Sequence, residues 1–193
     1  SQIGNTPLVR LKQASELTDC HIYAKAEYFN PGESVKDRAA LFIVQDAIKR
    51  KLISKGGTIV EGTAGNTGIG LAVVCKEYDL KLKIVIPNTQ SIEKKQTLKK
   101  LGAELIEVDA VPYSNPKNYI KQSRQIAEDL NKTSSKGVYW ANQFDNVINT
   151  EAHIQTTAEE IWNQTAGTIN GFTCAVGTGG TLAGVSIGLK NKN

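Results

Sequence analysis

Hydrophobic positions along the chain switch repeatedly between a period of two and a helical period. Residues 21–28 alternate in twos, with Ile22 and Ala24 on one face, as a half-buried strand does. Residues 35–51 instead carry apolar side chains three and four positions apart. The same succession continues along the chain. It predicts strands near residues 8–11, 21–28, 58–61, 83–86, 104–108, 138–140 and 172–176, and helices at 35–51, 67–78, 91–101, 115–131, 150–163 and 182–189.

Strands that alternate with helices predict βαβ units. We therefore expect an α/β fold with open, twisted, mostly parallel sheets and helices on both faces. In such folds, ligands bind beyond the carboxyl ends of the strands. Three stretches follow a predicted strand and open a predicted helix, so we expect them to lie near one another: residues 30–38, 62–68 and 177–181.

Composition excludes several classes of protein. The 193 residues are 40% hydrophobic and 22% charged, as in an ordinary globular protein. The net charge of +4 comes from scattered lysines without interleaved aromatic residues, which argues against nucleic-acid binding. No apolar run is long enough to span a membrane. Three distant cysteines suggest neither a disulfide framework nor a zinc site, and they favour a reducing, cytoplasmic location.

Lys36 occupies an unusual position for a lysine. Ser34 with Asp37 three residues later matches a capping box, so we predict that Ser34 caps a helix whose first turn contains Lys36. The positive end of the helix dipole disfavours an ammonium there by up to about 1 kcal/mol. A lysine shifted toward its neutral form can form a Schiff base. The alternative is an exposed lysine with no role.

Two glycine-rich turns add binding capacity. The turn at 177–181 (GTGGT) can direct backbone N–H groups at a phosphate, although it matches neither the Walker spacing nor the dinucleotide fingerprint. The turn at 62–68 (GTAGNTG) can hold a carboxylate. Either turn could also serve only to let a strand and a helix pack closely. Together with Lys36, they meet the requirements of a pyridoxal phosphate enzyme that acts on an amino acid.

These residues resemble the cysteine synthase (O-acetylserine sulfhydrylase) family of fold type II pyridoxal phosphate enzymes, which have a tryptophan synthase β-like fold. Cystathionine β-synthase belongs to the same group. Matching segments occur in the family's order over essentially the whole chain, at residues 3–11 (IGNTPLVRL), 30–38, 63–68, 142–144 and 177–184 (GTGGTLAG).

The resemblance implies a role for each site residue. Lys36 would be the catalytic residue, bound to the cofactor pyridoxal 5'-phosphate and later moving the α-proton. Asn66 would bond the phenolic oxygen of the cofactor ring. The cofactor phosphate would be bound by Gly177, Thr178, Gly179, Gly180 and Thr181. The substrate carboxylate would be bound by the loop Thr63, Ala64, Gly65, Asn66 and Thr67, together with Gln143.

The implied reaction is a β-replacement, in which acetate leaves O-acetylserine and sulfide adds to give cysteine. Thr67 and Gly68 favour the synthases over the dehydratase relatives. A homodimer, and binding of the C-terminal tail of serine acetyltransferase, are inherited expectations. Two alternatives stay open. One is a cystathionine β-synthase-type condensation of serine with homocysteine, and the other is an incomplete fragment or pseudoenzyme that acts by binding a partner.

Three departures from the family stand out. Ala64 replaces a common serine, and Glu33 stands where glycine is usual. The chain is also much shorter than family members, so we expect it to be their N-terminal part. Residues 30–146 would form the smaller domain, and residues 1–29 and 147–193 would be pieces of a discontinuous larger domain whose remainder is absent. We further expect His21 and His153 to lie on the surface, and Cys75 and Cys174 to be buried and inert.

Overall fold

Sixteen elements make up the computed structural model, which describes residues 2–63 and 65–192. In chain order they are β1 (Leu8–Arg10), α1 (Lys12–Thr18), β2 (Tyr23–Lys25), a 3-10 turn (Glu27–Phe29), α2 (Lys36–Lys49), β3 (Thr58–Gly62), α3 (Asn66–Glu77), β4 (Lys81–Pro87), α4 (Ile92–Lys100), β5 (Glu104–Val108), α5 (Tyr119–Asn131), β6 (Val138–Trp140), α6 (Ile148–Ala152), a π-helical segment (His153–Ala158), α7 (Glu159–Gln164) and α8 (Gly180–Lys190).

A parallel sheet in the order β5-β4-β3-β6 lies at the centre. Successive residues of a strand face opposite sides of a sheet. Accordingly, Ile59 packs into the large core beneath α2 and α3, whereas Val60 packs under α5 on the other face. The sheet is therefore covered by helices on both faces, and the α/β prediction is confirmed.

The C-terminal helices form a further layer against α2. Helix α6 packs on α2, and α8 packs on α6 and the π-helical segment. Glycines one turn apart on α8 allow this close approach, because a Cβ on Gly184 would lie 2.5 Å from the Cβ of His153. A Cβ on Gly188 would similarly meet Ala158 at 2.4 Å. At the other end of the chain, β1 and β2 pair as an antiparallel ribbon.

Several sequence predictions about elements are wrong. Residues 172–176 form no strand, because no strand in the described part of the chain lies beside them to share a hydrogen-bonded ladder. Helix α1 was not predicted, since its only buried residue is Ser15 and it shows no apolar stripe. The helix predicted from Asn115 begins at Tyr119, and Asn118 caps it instead by accepting from the N–H of Ile120.

Within residues 2–63 and 65–192, no helix has the length and apolar character needed to cross a membrane. The central sheet falls inside residues 30–146, the limits predicted for the smaller domain. Those limits stay a prediction.

Candidate active site

Lys36 is the first residue of α2 and is half-buried. Burial lowers the pKa of its ammonium, in the direction predicted for a Schiff-base lysine, although the cause is desolvation rather than the helix dipole. The charge of Lys36 also acts on Cys174, just ahead of the 177–181 turn, and on His153. The start of α2 also packs on α3, because a Cβ on Gly70 would lie 3.1 Å from the backbone of Asp37, the residue after Lys36.

The predicted capping box before Lys36 is wrong. Val35 precedes the helix, and Ser34 accepts from the N–H of Lys36 at 3.2 Å. Asp37 does not reach back to Ser34, because its carboxylate accepts from the N–H of Gly32 at 2.5 Å. A Cβ on Gly32 would collide with that carboxylate, so glycine is required for the contact. Buried Asp37, whose pKa is raised by desolvation, thus fixes the turn that delivers Lys36.

The 62–68 turn opens α3 as predicted. Thr63 and Thr67 are buried, whereas Asn66, the first residue of the helix, is exposed. Gly65 donates its N–H to the Thr63 hydroxyl at 3.2 Å, and nothing lies within 4 Å of where its Cβ would be. Ala64 lies outside the described residues. The turn therefore offers an open backbone edge that is held in place by buried threonines.

The 177–181 turn follows an extended segment rather than a sheet strand, and it leads into α8. Gly179 has a φ of +84°, which only glycine adopts without strain. A Cβ on Gly177 or Gly179 would meet no atom within 4 Å, so this side of the turn is open. Gly180, in contrast, is packed against the amide of Asn149. The turn thus has one face available to a ligand and one face fixed to α6.

Gln143 connects the two turns. Its Oε1 accepts from the Thr67 hydroxyl at 2.5 Å, and its carbonyl accepts from Asn149 Nδ2 at 3.0 Å. Asn149 Nδ2 also donates to the Thr178 hydroxyl at 2.9 Å. A cavity of about 210 Å³ lies along this path, between the 143–150 segment and the start of α8. A larger cavity of about 790 Å³, between α5 and β6, contains neither turn and approaches the site at Asn142.

A buried acid, Glu61, lies at the end of the strand that leads into the 62–68 turn. Glu61, near the end of β3, is 1% exposed, and the nearby backbone of Gln143 and Asn142 acts to lower its pKa. Burial nevertheless raises the pKa of Glu61 to about 8, and no cation is among the groups that act on it. Its Oε2 and Asn142 Oδ1 are both buried without a hydrogen-bond partner. Asn142 also has a φ of +46°, so the segment that positions Gln143 is strained.

His153 packs against the start of α8 beside the 177–181 turn, and its predicted surface position is wrong. It is only 1% exposed, because α8 crosses directly over it at Gly184. Its Nε2 lies 3.2 Å from the Thr181 hydroxyl, and its Nδ1 lies 2.8 Å from the Thr157 hydroxyl. Burial, together with the charge of Arg38, lowers the pKa of His153 to about 4. Cys75 is buried as predicted, whereas Cys174 is only partly so.

Arg38, two residues after Lys36, belongs to a charged cluster. The cluster consists of Lys25, Glu27, Arg38 and Glu160. Arg38, 1% exposed, bonds Glu27 at 2.8 Å and Glu160 at 2.6 Å. Lys25 bonds Glu160 at 2.6 Å. The cluster joins β2, the 3-10 turn, α2 and α7. It therefore anchors the start of α2 to β2, the 3-10 turn and α7.

Sequence reasoning missed Glu61, Asn149 and His153. An isolated acid in a strand, or an amide in a helix, has no local pattern that distinguishes it. Each acquires its role from segments that pack against it from elsewhere in the chain. The acid in an otherwise apolar strand, Thr58–Gly62, was the one available signal.

Comparisons with known proteins identify the family of the chain. The family model described as pyridoxal-phosphate dependent enzyme matches residues 1–193. The chain is 57% identical over 188 residues to cysteine synthase 1 of Neurospora crassa, covering 97% of this chain and 49% of that protein. It is 46% identical to the cysteine synthase of Dictyostelium discoideum, covering 99% and 49%.

A solved structure shares the fold. The hydrogen sulfide-producing enzyme of Fusobacterium nucleatum superposes with a TM-score of 0.83 at 41% identity, covering 99% of this chain and 60% of that one. The chain spans about half the length of the curated relatives that it matches. Because the family model extends over all of its residues, the chain belongs to the pyridoxal-phosphate dependent enzyme family, with cysteine synthases among its relatives.

Proposed function

We propose that the protein containing this chain is a cysteine synthase, which replaces the acetate of O-acetylserine with sulfide. One observation carries the proposal: a half-buried lysine begins a helix that packs on α3 at Gly70, just after the 62–68 turn, and a hydrogen-bonded path connects that turn to the 177–181 turn. The cysteine synthase relatives at 57% and 46% identity support the same reaction.

The residues present fit pyridoxal 5'-phosphate. The open face of the 177–181 turn suits its phosphate, with the hydroxyls of Thr178 and Thr181 and the backbone N–H groups of the turn as donors, apart from that of Gly180, which donates to Thr178. Lys36 would bond its aldehyde carbon, and Asn66 would reach the ring oxygen. When bound, this cofactor supplies an electron sink for charge that develops at the substrate α-carbon.

The remaining roles are those that the family resemblance implies. Thr63, Gly65, Thr67 and Gln143 would bind the substrate carboxylate and hold the α-hydrogen toward Lys36. The amine of Lys36 would remove that hydrogen as a proton and return it after sulfide adds. Its lowered pKa suits this work, because a neutral amine can accept a proton.

The direct test is an assay of the full-length protein loaded with cofactor. With O-acetylserine and sulfide it should release cysteine and acetate, and a Lys36→Ala variant should lose at least about 10³-fold in rate. Two further assays of the same protein use serine with homocysteine, and cysteine alone, as substrates. Cystathionine as the main product would overturn the proposal, as would rapid sulfide release from cysteine without net synthesis.

We propose in addition that the protein is a cytoplasmic homodimer whose site can bind the C-terminal tail of serine acetyltransferase. We also propose the division into a smaller domain, 30–146, and parts of a larger one, 1–29 and 147–193. Exposed Val176, Leu182 and Ile187 support a larger domain that extends over α8. Light scattering of the full-length protein, with and without an acetyltransferase tail peptide, tests the assembly.

A further inference from the structure

Asn149 lies between the two anion-binding turns and contacts both. It is 4% exposed, and it lies on α6 rather than on either turn. Its Nδ2 donates to the Gln143 carbonyl and to the Thr178 hydroxyl. Its side chain also packs against Gly180, where any Cβ would lie 2.4 Å from Oδ1. No other side chain in the described part of the chain bonds both Gln143 and Thr178.

The chemistry of its partners fixes which way the Asn149 amide points. A backbone carbonyl can only accept, so the atom that bonds the Gln143 carbonyl must be the nitrogen. That nitrogen has two hydrogens, and the second one is directed to the Thr178 hydroxyl oxygen. Thr178 therefore has to accept from Asn149.

This arrangement determines what Thr178 can offer to a ligand. Its hydroxyl oxygen accepts from Asn149 and, at 3.3 Å, from the N–H of Gly180. Both lone pairs are then engaged, and only the hydroxyl hydrogen is left for a further bond. A donor is what a phosphate oxygen requires, whereas an accepting hydroxyl would repel it.

We propose that Asn149 is a positioning residue that fixes the Thr178 hydroxyl as a hydrogen-bond donor toward the cofactor phosphate and ties this turn to Gln143. The inference rests on the proposed function. It assigns Asn149 a role through Thr178, without contact between Asn149 and the cofactor.

The test compares two ligands on cofactor-free full-length protein: pyridoxal 5'-phosphate, and pyridoxal, which lacks the phosphate. The readout is the ratio of the two affinities. In Asn149→Asp the shape is kept, but the carboxylate accepts the Thr178 hydrogen, so the ratio should fall at least tenfold. In Asn149→Ala the Thr178 hydroxyl is free to rotate, so the ratio should fall less.

A larger fall in the ratio for Asn149→Asp than for Asn149→Ala distinguishes the positioning role from a packing role. If Asn149 only filled space, the isosteric aspartate would be the milder change and alanine the more severe. A ratio unchanged in Asn149→Asp, or lowered more by alanine than by aspartate, would overturn the inference. Asn163→Asp, an exposed site on α7, controls for the added charge and should keep the wild-type ratio.

Variants of Thr178 keep the proposal testable if Asn149 variants do not fold. Thr178→Val should lower the ratio at least tenfold, and Thr178→Ser should preserve it. In the Thr178→Val background, Asn149→Ala should have no further effect on the ratio. Equal losses in Thr178→Val and Thr178→Ser would contradict the donor role. Wild-type protein that binds neither ligand would overturn the proposed function itself.

Discussion

The molecule contains two largely buried polar networks, and they are built differently. The charged cluster (Lys25, Glu27, Arg38 and Glu160) pairs every charge with an opposite charge inside the chain. The neutral network (Thr67, Gln143, Asn149 and Thr178) contains no charge, and we infer that it leaves a donor directed outward at Thr178. Both networks join segments that are distant in sequence.

Unpaired atoms reinforce the contrast. Three buried side-chain oxygens in the described chain lack a hydrogen-bond partner, and they belong to Asp37, Glu61 and Asn142. Each lies within two residues of a proposed site residue, and none belongs to the charged cluster. Unsatisfied buried groups destabilise a fold, and two of the three, Glu61 and Asn142, lie beside the neutral network, whereas the charged cluster contains none of them.

The largest expected loss of folding stability comes from a substitution that breaks the charged cluster. Arg38→Met would leave the carboxylates of Glu27 and Glu160 buried without their main partner, and should lower the free energy of unfolding by about 3–5 kcal/mol. Urea unfolding measures the loss. Arg124→Met, which removes an exposed pair with Glu128, should cost less than about 1 kcal/mol. Comparable losses in both variants would contradict the folding role of the cluster.

The stability that the charged cluster provides should depend on pH through Glu160. Burial would raise the pKa of Glu160, but hydrogen bonds from Arg38 and Lys25 outweigh it and lower the pKa to about 2. The unfolded chain therefore binds this proton first as pH falls. Glu160 stabilises the fold above its ordinary pKa of 4.5, and about 3 kcal/mol is lost as pH falls toward 2. Glu160→Gln should flatten the dependence of unfolding free energy on pH in that window.

Glu61, a glutamate beside the neutral network, has a pKa shifted in the opposite direction from that of Glu160. Burial without a cation raises the pKa of Glu61 to about 8, and Tyr119 is the titratable neighbour that feels its charge. The folded state then holds the proton more tightly, so stability is full below pH 4.5 and falls as pH rises toward 8. Between pH 6 and 8 the loss should be about 2 kcal/mol. Glu61→Gln should abolish it in urea titrations, and an unchanged slope would contradict the assignment.

The smallest effect concerns a residue outside both networks. Glu33 has a φ of +59°, which explains why glycine suits this position. Glu33→Gly should raise the free energy of unfolding by about 0.5–1 kcal/mol, because the strain of a left-handed backbone is relieved. Thermal unfolding measures this gain. A destabilised variant would show that the Glu33 side chain makes a stabilising contact.

Sequence alone predicted the four strands that pair in the central sheet. Strands β5 and β6 were predicted to the residue, since their apolar runs are short and each follows closely on a glycine, Gly102 or Gly137. Residues 172–176 failed as a strand because a strand also needs a neighbour, which periodicity cannot supply. Fold class was predictable, since it depends on the order of elements.

The candidate site divides in the same way. Lys36 and the two glycine turns were found because turn chemistry is written in adjacent residues. Asn149 was not, since its contact with Thr178 spans 29 residues. The contact between Thr67 and Gln143, which the family resemblance anticipated only as a shared ligand, spans 76. Networks of this kind depend on the packed fold and cannot be deduced from local spacing.

The proposed function requires that Lys36 bind pyridoxal 5'-phosphate. Borohydride reduction of the full-length protein, followed by proteolysis and peptide mapping, tests it most directly. The protein should be yellow before reduction, and reduction should leave one pyridoxyl group, on the peptide that contains Lys36. The Lys36→Ala variant should carry no pyridoxyl group. A colourless wild-type protein, or an adduct on a different lysine such as Lys25, would contradict the account.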